Sequence, residues 1–291
     1  MEILIVVLLG ILQGAIGFLP ISTQGIQAVV GKTFQMGDTA LLYCVFFHLG
    51  TAILFFFYLK GDILRLPWDL LRTLVGVFRN GKGYFEARKK QEPFEPQPVF
   101  HTNHECFSVM AVLAVLVAFP LCLVLRPFAE KTFRSPLFTG VGFLIMAVIF
   151  LVGGMLKIRS RLPIFTRVWY GLIAGCLLAA GCFPGISVLG ILFVFATLIG
   201  FNRKTAQRFA GICYVLSTVV SVPVLFLTHA AGDLAASDIF LAIGGLAVTF
   251  IVGTLLSNRA LHAAKMVKGR KMAVWSGVLG VAAILVWFFV K

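Results

Sequence analysis

Six stretches of this chain run for about 20 residues with at most one charge, and they constrain the fold more than any other feature. They fall near 39–59, 105–125, 136–156, 209–228, 239–257 and 272–290. A helix of roughly 20 apolar residues crosses the ~30 Å hydrocarbon core of a bilayer. Inside hydrocarbon only helices and closed barrels satisfy their own backbone. Barrel strands alternate polar and apolar residues over about ten positions, and no such alternation is present. The chain therefore reads as an all-α integral membrane protein. Composition closes off a soluble reading, since 12% of its 291 residues are charged against roughly 25% in soluble domains.

The formal charge of +14 would suggest nucleic acid in a soluble protein. Here Lys and Arg sit mainly between apolar runs, where they orient the chain and meet anionic lipid. No nucleic-acid partner is expected. The six cysteines (Cys44, Cys106, Cys122, Cys176, Cys182, Cys213) are scattered without metal-site spacing and read as packing residues. The N-terminus lacks the basic region and small-residue cleavage site of a signal peptide, so it is expected to stay.

Two further apolar regions, 3–31 and 168–200, are interrupted. The first breaks at Gly17-Phe18-Leu19-Pro20-Ile21-Ser22-Thr23-Gln24-Gly25 and the second at Cys182-Phe183-Pro184-Gly185-Ile186-Ser187-Val188-Leu189-Gly190. Mid-helix proline and glycine release backbone groups that hydrocarbon cannot satisfy. Both regions are thus expected to be re-entrant hairpins, each made of two half-helices. At an offset of 165 positions, Phe18/Phe183, Ile21/Ile186, Ser22/Ser187 and Gly25/Gly190 coincide, and three spans follow each hairpin.

Loop charge fixes the expected topology. The 60–104 segment holds eight Lys and Arg, among them Arg72, Arg79 and Lys82, interleaved with Trp68, Phe78, Tyr84 and Phe85. It reads as an interfacial amphipathic helix. The 157–167 and 258–271 loops are basic too, whereas 229–238 carries only Asp233 and Asp238. With both hairpins re-entrant, the three basic loops share the cytoplasmic side and both termini lie outside. The exception is the 126–135 loop, placed outside despite Arg126, Lys131 and Arg134. The expectation is one membrane domain, 1–291, of two inverted repeats, 1–156 and 168–291. The two hairpins then meet near the midplane at the repeat interface, as in many transporters.

Residues 13–26, Gln13-Gly14-Ala15-Ile16-Gly17-Phe18-Leu19-Pro20-Ile21-Ser22-Thr23-Gln24-Gly25-Ile26, resemble the first signature of the undecaprenyl pyrophosphate phosphatases, (E/Q)-G-x-T-E-F-L-P-[IV]-S-S-[ST]-G-H. Phe183–Gly190 resembles the family's P-G-x-S-R-S-G, and Phe201–Phe209 resembles its G-[LF]-[SN]-R-x-x-A-x-[RK]-F. The resemblance covers nearly the whole chain and implies the same inverted-hairpin fold in a bacterial cytoplasmic membrane. Against the motifs, Gly17 stands for the second glutamate, Ile26 for the histidine, Val188 for the arginine and Leu189 for the serine after it. Gln13, Ser22, Thr23 and Ser187 keep polar groups. Pyrophosphate cleavage needs a nucleophile, a proton acceptor and a cation on the transferring phosphoryl. The departures therefore point to binding and translocation of a polyprenyl phosphate-type lipid without hydrolysis. The alternatives are an undecaprenyl-diphosphate phosphatase with relocated groups, or a transporter of some small solute.

The substrate-binding candidates are Gln13, Ser22, Thr23, Gln24, His48, Ser187, Arg203 and Arg208. The hydroxyls and Gln24 sit where half-helices start or stop, able to cap backbone and to hold an anionic headgroup. His48 is an ionisable residue inside an apolar span, and Arg203, Lys204 and Arg208 follow the second hairpin. Remnant catalytic positions are Gln13, Ser22 and Ser187. The single H-x-x-H, His101 to His104, is a weak metal signal. No cofactor is expected, a divalent metal entering only with the phosphatase reading. The partner is a membrane lipid bearing a phosphate or pyrophosphate, and a homodimer is left open.

Overall fold

A computed structural model describes residues 2–37, 39–155, 168–228, 235–266 and 269–290. The expected 157–167 loop, most of the 229–238 loop and residues 267–268 of the 258–271 loop lie outside the described residues. Among the described residues eleven helices follow one another: α1 (Glu2–Ile16), α2 (Thr23–Thr33), α3 (Thr39–Ile63), α4 (Leu66–Lys90), α5 (Asn103–Phe133), α6 (Pro136–Met155), α7 (Tyr170–Ala180), α8 (Val188–Leu198), α9 (Arg203–Thr228), α10 (Ala236–Met266) and α11 (Gly269–Phe289). Five of them, α3, α5, α6, α10 and α11, are long and apolar enough to cross a membrane. The sixth expected span lies within α9, which is 26 residues long.

The two interrupted regions are pairs of short helices. The 11-residue helices α2, α7 and α8 rise only about 16 Å at 1.5 Å per residue, roughly half the hydrocarbon thickness. Each pair therefore turns back part-way through, as the Pro-Gly breaks require.

Packing repeats when α1, α2, α3, α5 and α6 are exchanged with α7, α8, α9, α10 and α11. Helix α1 packs on α10 as α7 packs on α5, while α3 with α9 and α6 with α11 pair across the exchange. The equivalent seams use glycine in the same way. A Cβ at Gly14 would lie 2.6 Å from the Thr249 carbonyl, and one at Gly175 would lie 2.8 Å from that of Ala114. Lipid offers no hydrophobic drive between helices, so association depends on such close backbone approach.

Two boundaries differ from the sequence reading. The expected 126–135 loop is mostly helix, because α5 continues through Pro120 and Pro127 to Phe133. An i,i+4 ion pair, Arg126 Nε to Glu130 Oε1 at 2.5 Å, braces that last stretch. The expected 258–271 loop is likewise largely the end of α10 and the start of α11. Apolar content marks where hydrocarbon ends, whereas backbone hydrogen bonding continues past it.

One end of the bundle gathers Ile63, Leu66, Asn103 and Arg203, and a polar cluster ties α4 down there. Ser108 Oγ donates to Asp69 Oδ2 at 2.7 Å, and His104 bridges Asp69 and Asp62 at 2.5 and 3.4 Å. Arg208 Nε reaches the other Asp62 oxygen at 3.2 Å. Away from the clamp, α4 exposes Trp68, Leu71, Phe78 and Phe85 among its basic residues, the form of an interfacial helix.

Candidate functional site

The two hairpin turns meet. Gly25 faces the turn of the second hairpin so closely that a Cβ there would sit 2.7 Å from the Gly185 nitrogen. A Cβ at Gly190 would lie 3.1 Å from the Pro20 carbonyl. These two glycines are the pair related by the 165-residue offset, so each hairpin uses the same residue to admit the other's backbone. Gly185 turns with φ +90°, a conformation L side chains rarely adopt. Gln24 Nε2 donates to the Cys182 carbonyl at 3.2 Å and links the turns directly.

Each second half-helix starts on a serine. Ser22 Oγ accepts from the Gly25 amide at 3.2 Å and Ser187 Oγ accepts from the Gly190 amide at 3.1 Å. Both are N-caps with extended backbone. The positive ends of α2 and α8 therefore converge, an arrangement that favours an anion.

They converge on a cavity of about 290 Å³ lined by both turns and by α3, α5 and α9. Ser22, Thr23, Gln24, His48 and Ser187 all line it, beside Tyr214, Arg126 and Glu130. Its walls run up Leu41–Val45, Arg126–Phe133 and Ser217–Ser221. It thus opens toward the end opposite the α4 clamp.

Within it, Thr23 Oγ1 lies 3.4 Å from His48 Nε2, and His48 Nδ1 lies 2.8 Å from the Cys44 carbonyl oxygen. A carbonyl only accepts, so Nδ1 carries the proton, and when the ring is neutral Nε2 is left to accept from the Thr23 hydroxyl. A hydroxyl and an imidazole so placed can act as nucleophile and base, the distance being looser than in a substrate complex. Tyr214, whose hydroxyl donates to the His48 carbonyl at 3.4 Å, backs the histidine.

Gln13 stands behind the turn, fully buried. Its Nε2 donates to Thr51 Oγ1 at 2.9 Å and its Oε1 accepts from Gln27 Nε2 at 2.8 Å. Arg203 and Arg208 do not line the cavity; Arg203 is exposed at the start of α9, and Arg208 belongs to the clamp at the other end. His104, of the H-x-x-H, is in that clamp as well. Arg126, Glu130 and Tyr214 are additions that the sequence reading did not include. Arg126 carried a signal all the same, as one of the basic residues that broke the charge pattern.

The polar set does not suit a divalent metal. Gln13, Gln27 and Thr51, behind the turn, offer neutral oxygens where Mg²⁺ or Ca²⁺ favours carboxylates, and the carboxylate in the cavity lining, Glu130, is paired with Arg126. The orphaned acceptor there, Gln27 Oε1, is a single amide oxygen. Among the described residues no three His, Cys, Asp or Glu side chains converge as metal ligands.

The chain is similar over most of its length to known proteins. The family model described as bacitracin resistance protein BacA matches residues 6–282. Undecaprenyl-diphosphatase 1 of Shouchella clausii is 23% identical over 295 residues, covering 99% of this chain and 97% of that protein. The undecaprenyl-diphosphatase of Borreliella burgdorferi is 26% identical, covering 100% and 99% of the two chains. That of Christiangramia forsetii is 28% identical, covering 98% of each.

Proposed function

The chain belongs to the bacitracin resistance protein BacA family, and from that premise we propose that it is a phosphatase of polyprenyl diphosphates acting through Thr23 and His48. The observation that carries this reading is the Thr23 Oγ1 to His48 Nε2 contact inside a cavity fed by two half-helix N-termini. The names of the relatives, undecaprenyl-diphosphatases, support hydrolysis over the lipid translocation expected from the sequence. They make undecaprenyl diphosphate the first substrate to test.

In this reading the diphosphate enters between the amides of α2 and α8, with Arg126 at the wall where Val188 supplies no charge. Thr23 Oγ1 attacks the terminal phosphorus while its proton passes to His48 Nε2. The bond to the bridging oxygen breaks, and the lipid monophosphate leaves with the electron pair. Water then displaces the phosphoryl group from Thr23, and His48 returns its proton to the threonine oxygen. The half-helix amides and Arg126 balance charge on the transferring group throughout. No step runs through a metal, because the donor set does not fit one.

Purified protein mixed with undecaprenyl diphosphate is expected to release phosphate in the presence of a chelator. His48→Gln and Thr23→Val are each expected to slow release by roughly 10²–10⁴-fold, the usual worth of general base catalysis, while Thr23→Ser retains it. Release that disappears with the chelator would refute the metal-free mechanism. One observation favours a second reading, binding without hydrolysis: Gly17 and Val188 leave the family's glutamate and arginine positions without functional groups. Bound but intact diphosphate lipid would select it.

A further inference from the structure

We infer that Cys122 and Cys182 form a redox modification site, which a disulfide donor converts into a staple across the cavity wall. Their sulfurs lie 2.7 Å apart, although the residues are 60 positions apart in the chain. A disulfide needs ~2.05 Å between sulfurs, so closure asks for less than an ångström of movement. Both cysteines line the cavity and are partly accessible. Cys44, which also lines the cavity, and Cys213 are buried by comparison.

The position of the pair decides what a bond would do. Cys122 is on α5, four residues before Arg126, and Cys182 is in the turn of the second hairpin. The Cys182 carbonyl accepts from Gln24 of the first hairpin. A bond here would join α5, which forms the outer wall, to the point where the two turns are already linked. The staple fixes that wall against the hairpins and narrows the freedom of the cavity to adapt to a headgroup. The charge pattern assigns the open end of the cavity to the outer side of the membrane, where disulfides persist.

The chemistry balances by thiol–disulfide exchange with a small disulfide such as oxidised glutathione. One cysteine thiolate attacks the donor, forms a mixed disulfide and expels one donor thiol. The second cysteine then attacks the cysteine sulfur of that mixed disulfide and expels the other donor thiol. Both electrons end on the donor, the two cysteine protons leave, and one intramolecular bond forms. The inference rests on the proposed reading that the cavity takes the diphosphate headgroup, and not on its hydrolysis.

The test uses purified full-length protein carrying Cys176→Ser, which removes the exposed cysteine and its intermolecular cross-links. After treatment with oxidised glutathione, peptide mass spectrometry is expected to find Cys122 joined to Cys182. Binding of undecaprenyl diphosphate is expected to fall, and to return with dithiothreitol. Cys122→Ser and Cys182→Ser, each compared with its own untreated sample, are expected to lose the response. Free thiols at both positions after treatment that fully oxidises a reference dithiol would overturn the site. A bond that forms without altering binding would overturn the staple. Phosphate release measured alongside keeps the two ideas separate, since absent release with an intact redox response counts only against hydrolysis.

Discussion

At position 17 helix α1 has just ended, and the space a side chain would need is occupied. A Cβ there would lie 2.5 Å from the Gln13 carbonyl, 2.8 Å from Thr51 Oγ1 and 3.0 Å from Gln13 Nε2. The glutamate of the family signature cannot simply be put back, because the buried Gln13–Thr51–Gln27 chain has closed over its place. Gly17→Ala is therefore expected to destabilise the protein by about 1–3 kcal/mol, the range for overfilling a packed site. Gly17→Glu should cost more and should not raise phosphate release; thermal unfolding in detergent and the release assay would check both. A gain in activity would mean that the site retains its ancestral shape. Much of the residue-level site was legible, since Ser22, Thr23, Gln24 and Ser187 sit at breaks that hydrocarbon tolerates only in a cavity. His48 was legible as a lone ionisable group in an apolar run. The Cys122–Cys182 contact was not, because it joins two elements whose relative placement no local pattern encodes. The place of Arg208 was not legible, because its partner, Asp62, lies almost 150 positions earlier in the chain.

Among the helices, the short pairs form the candidate site, and serines cap the second helix of each pair. Ser22→Ala and Ser187→Ala each remove a cap, at about 0.5–2 kcal/mol. The caps are equivalent under the exchange of halves, so the two losses should be similar, as urea or thermal titration would read. A large cost at one and none at the other would mean that the hairpins are not energetically alike. The contact between turns makes a second expectation. Gly25→Ala and Gly190→Ala both push the hairpins apart, so the double variant should cost less than the sum of the singles, coupled by more than roughly 0.5 kcal/mol. Additive costs would mean the turns are supported independently. Element existence was plain from the length of apolar runs and their Pro-Gly breaks. Element ends were not: α5 runs through two prolines to Phe133 because Arg126 and Glu130 continue the helix where hydropathy stops. That extension is what brings Arg126 to the cavity.

For the molecule as a whole, the bundle has two distinct ends, and the site's meaning depends on which faces outward. One end holds α4, its basic residues and the clamp of Asp62, Asp69, His104 and Arg208. The other holds Lys32 of α2 near Arg134 and near Trp287 and Phe288 at the end of α11, around a second cavity of about 300 Å³. The main cavity opens toward this second end. Positive charge selects the cytoplasmic side, and α4 alone carries Arg72, Arg79, Lys82, Arg88, Lys89 and Lys90. Arg126, Lys131 and Arg134 run against the rule, but Arg126 is ion-paired with Glu130 and lines the cavity. A cation already paired with a carboxylate adds little net charge to orient the chain. The prediction is that Gly81→Cys, where nothing stands within 4 Å of an added Cβ, reacts with an impermeant maleimide only after the cells are permeabilised. Lys131→Cys, exposed at the end of α5, should react in intact cells. Each is read as labelling above its Cys176→Ser parent. If the pattern came out reversed, the cavity would open to the cytoplasm. Headgroups would then have to arrive from within, and the paired cysteines would face a reducing compartment.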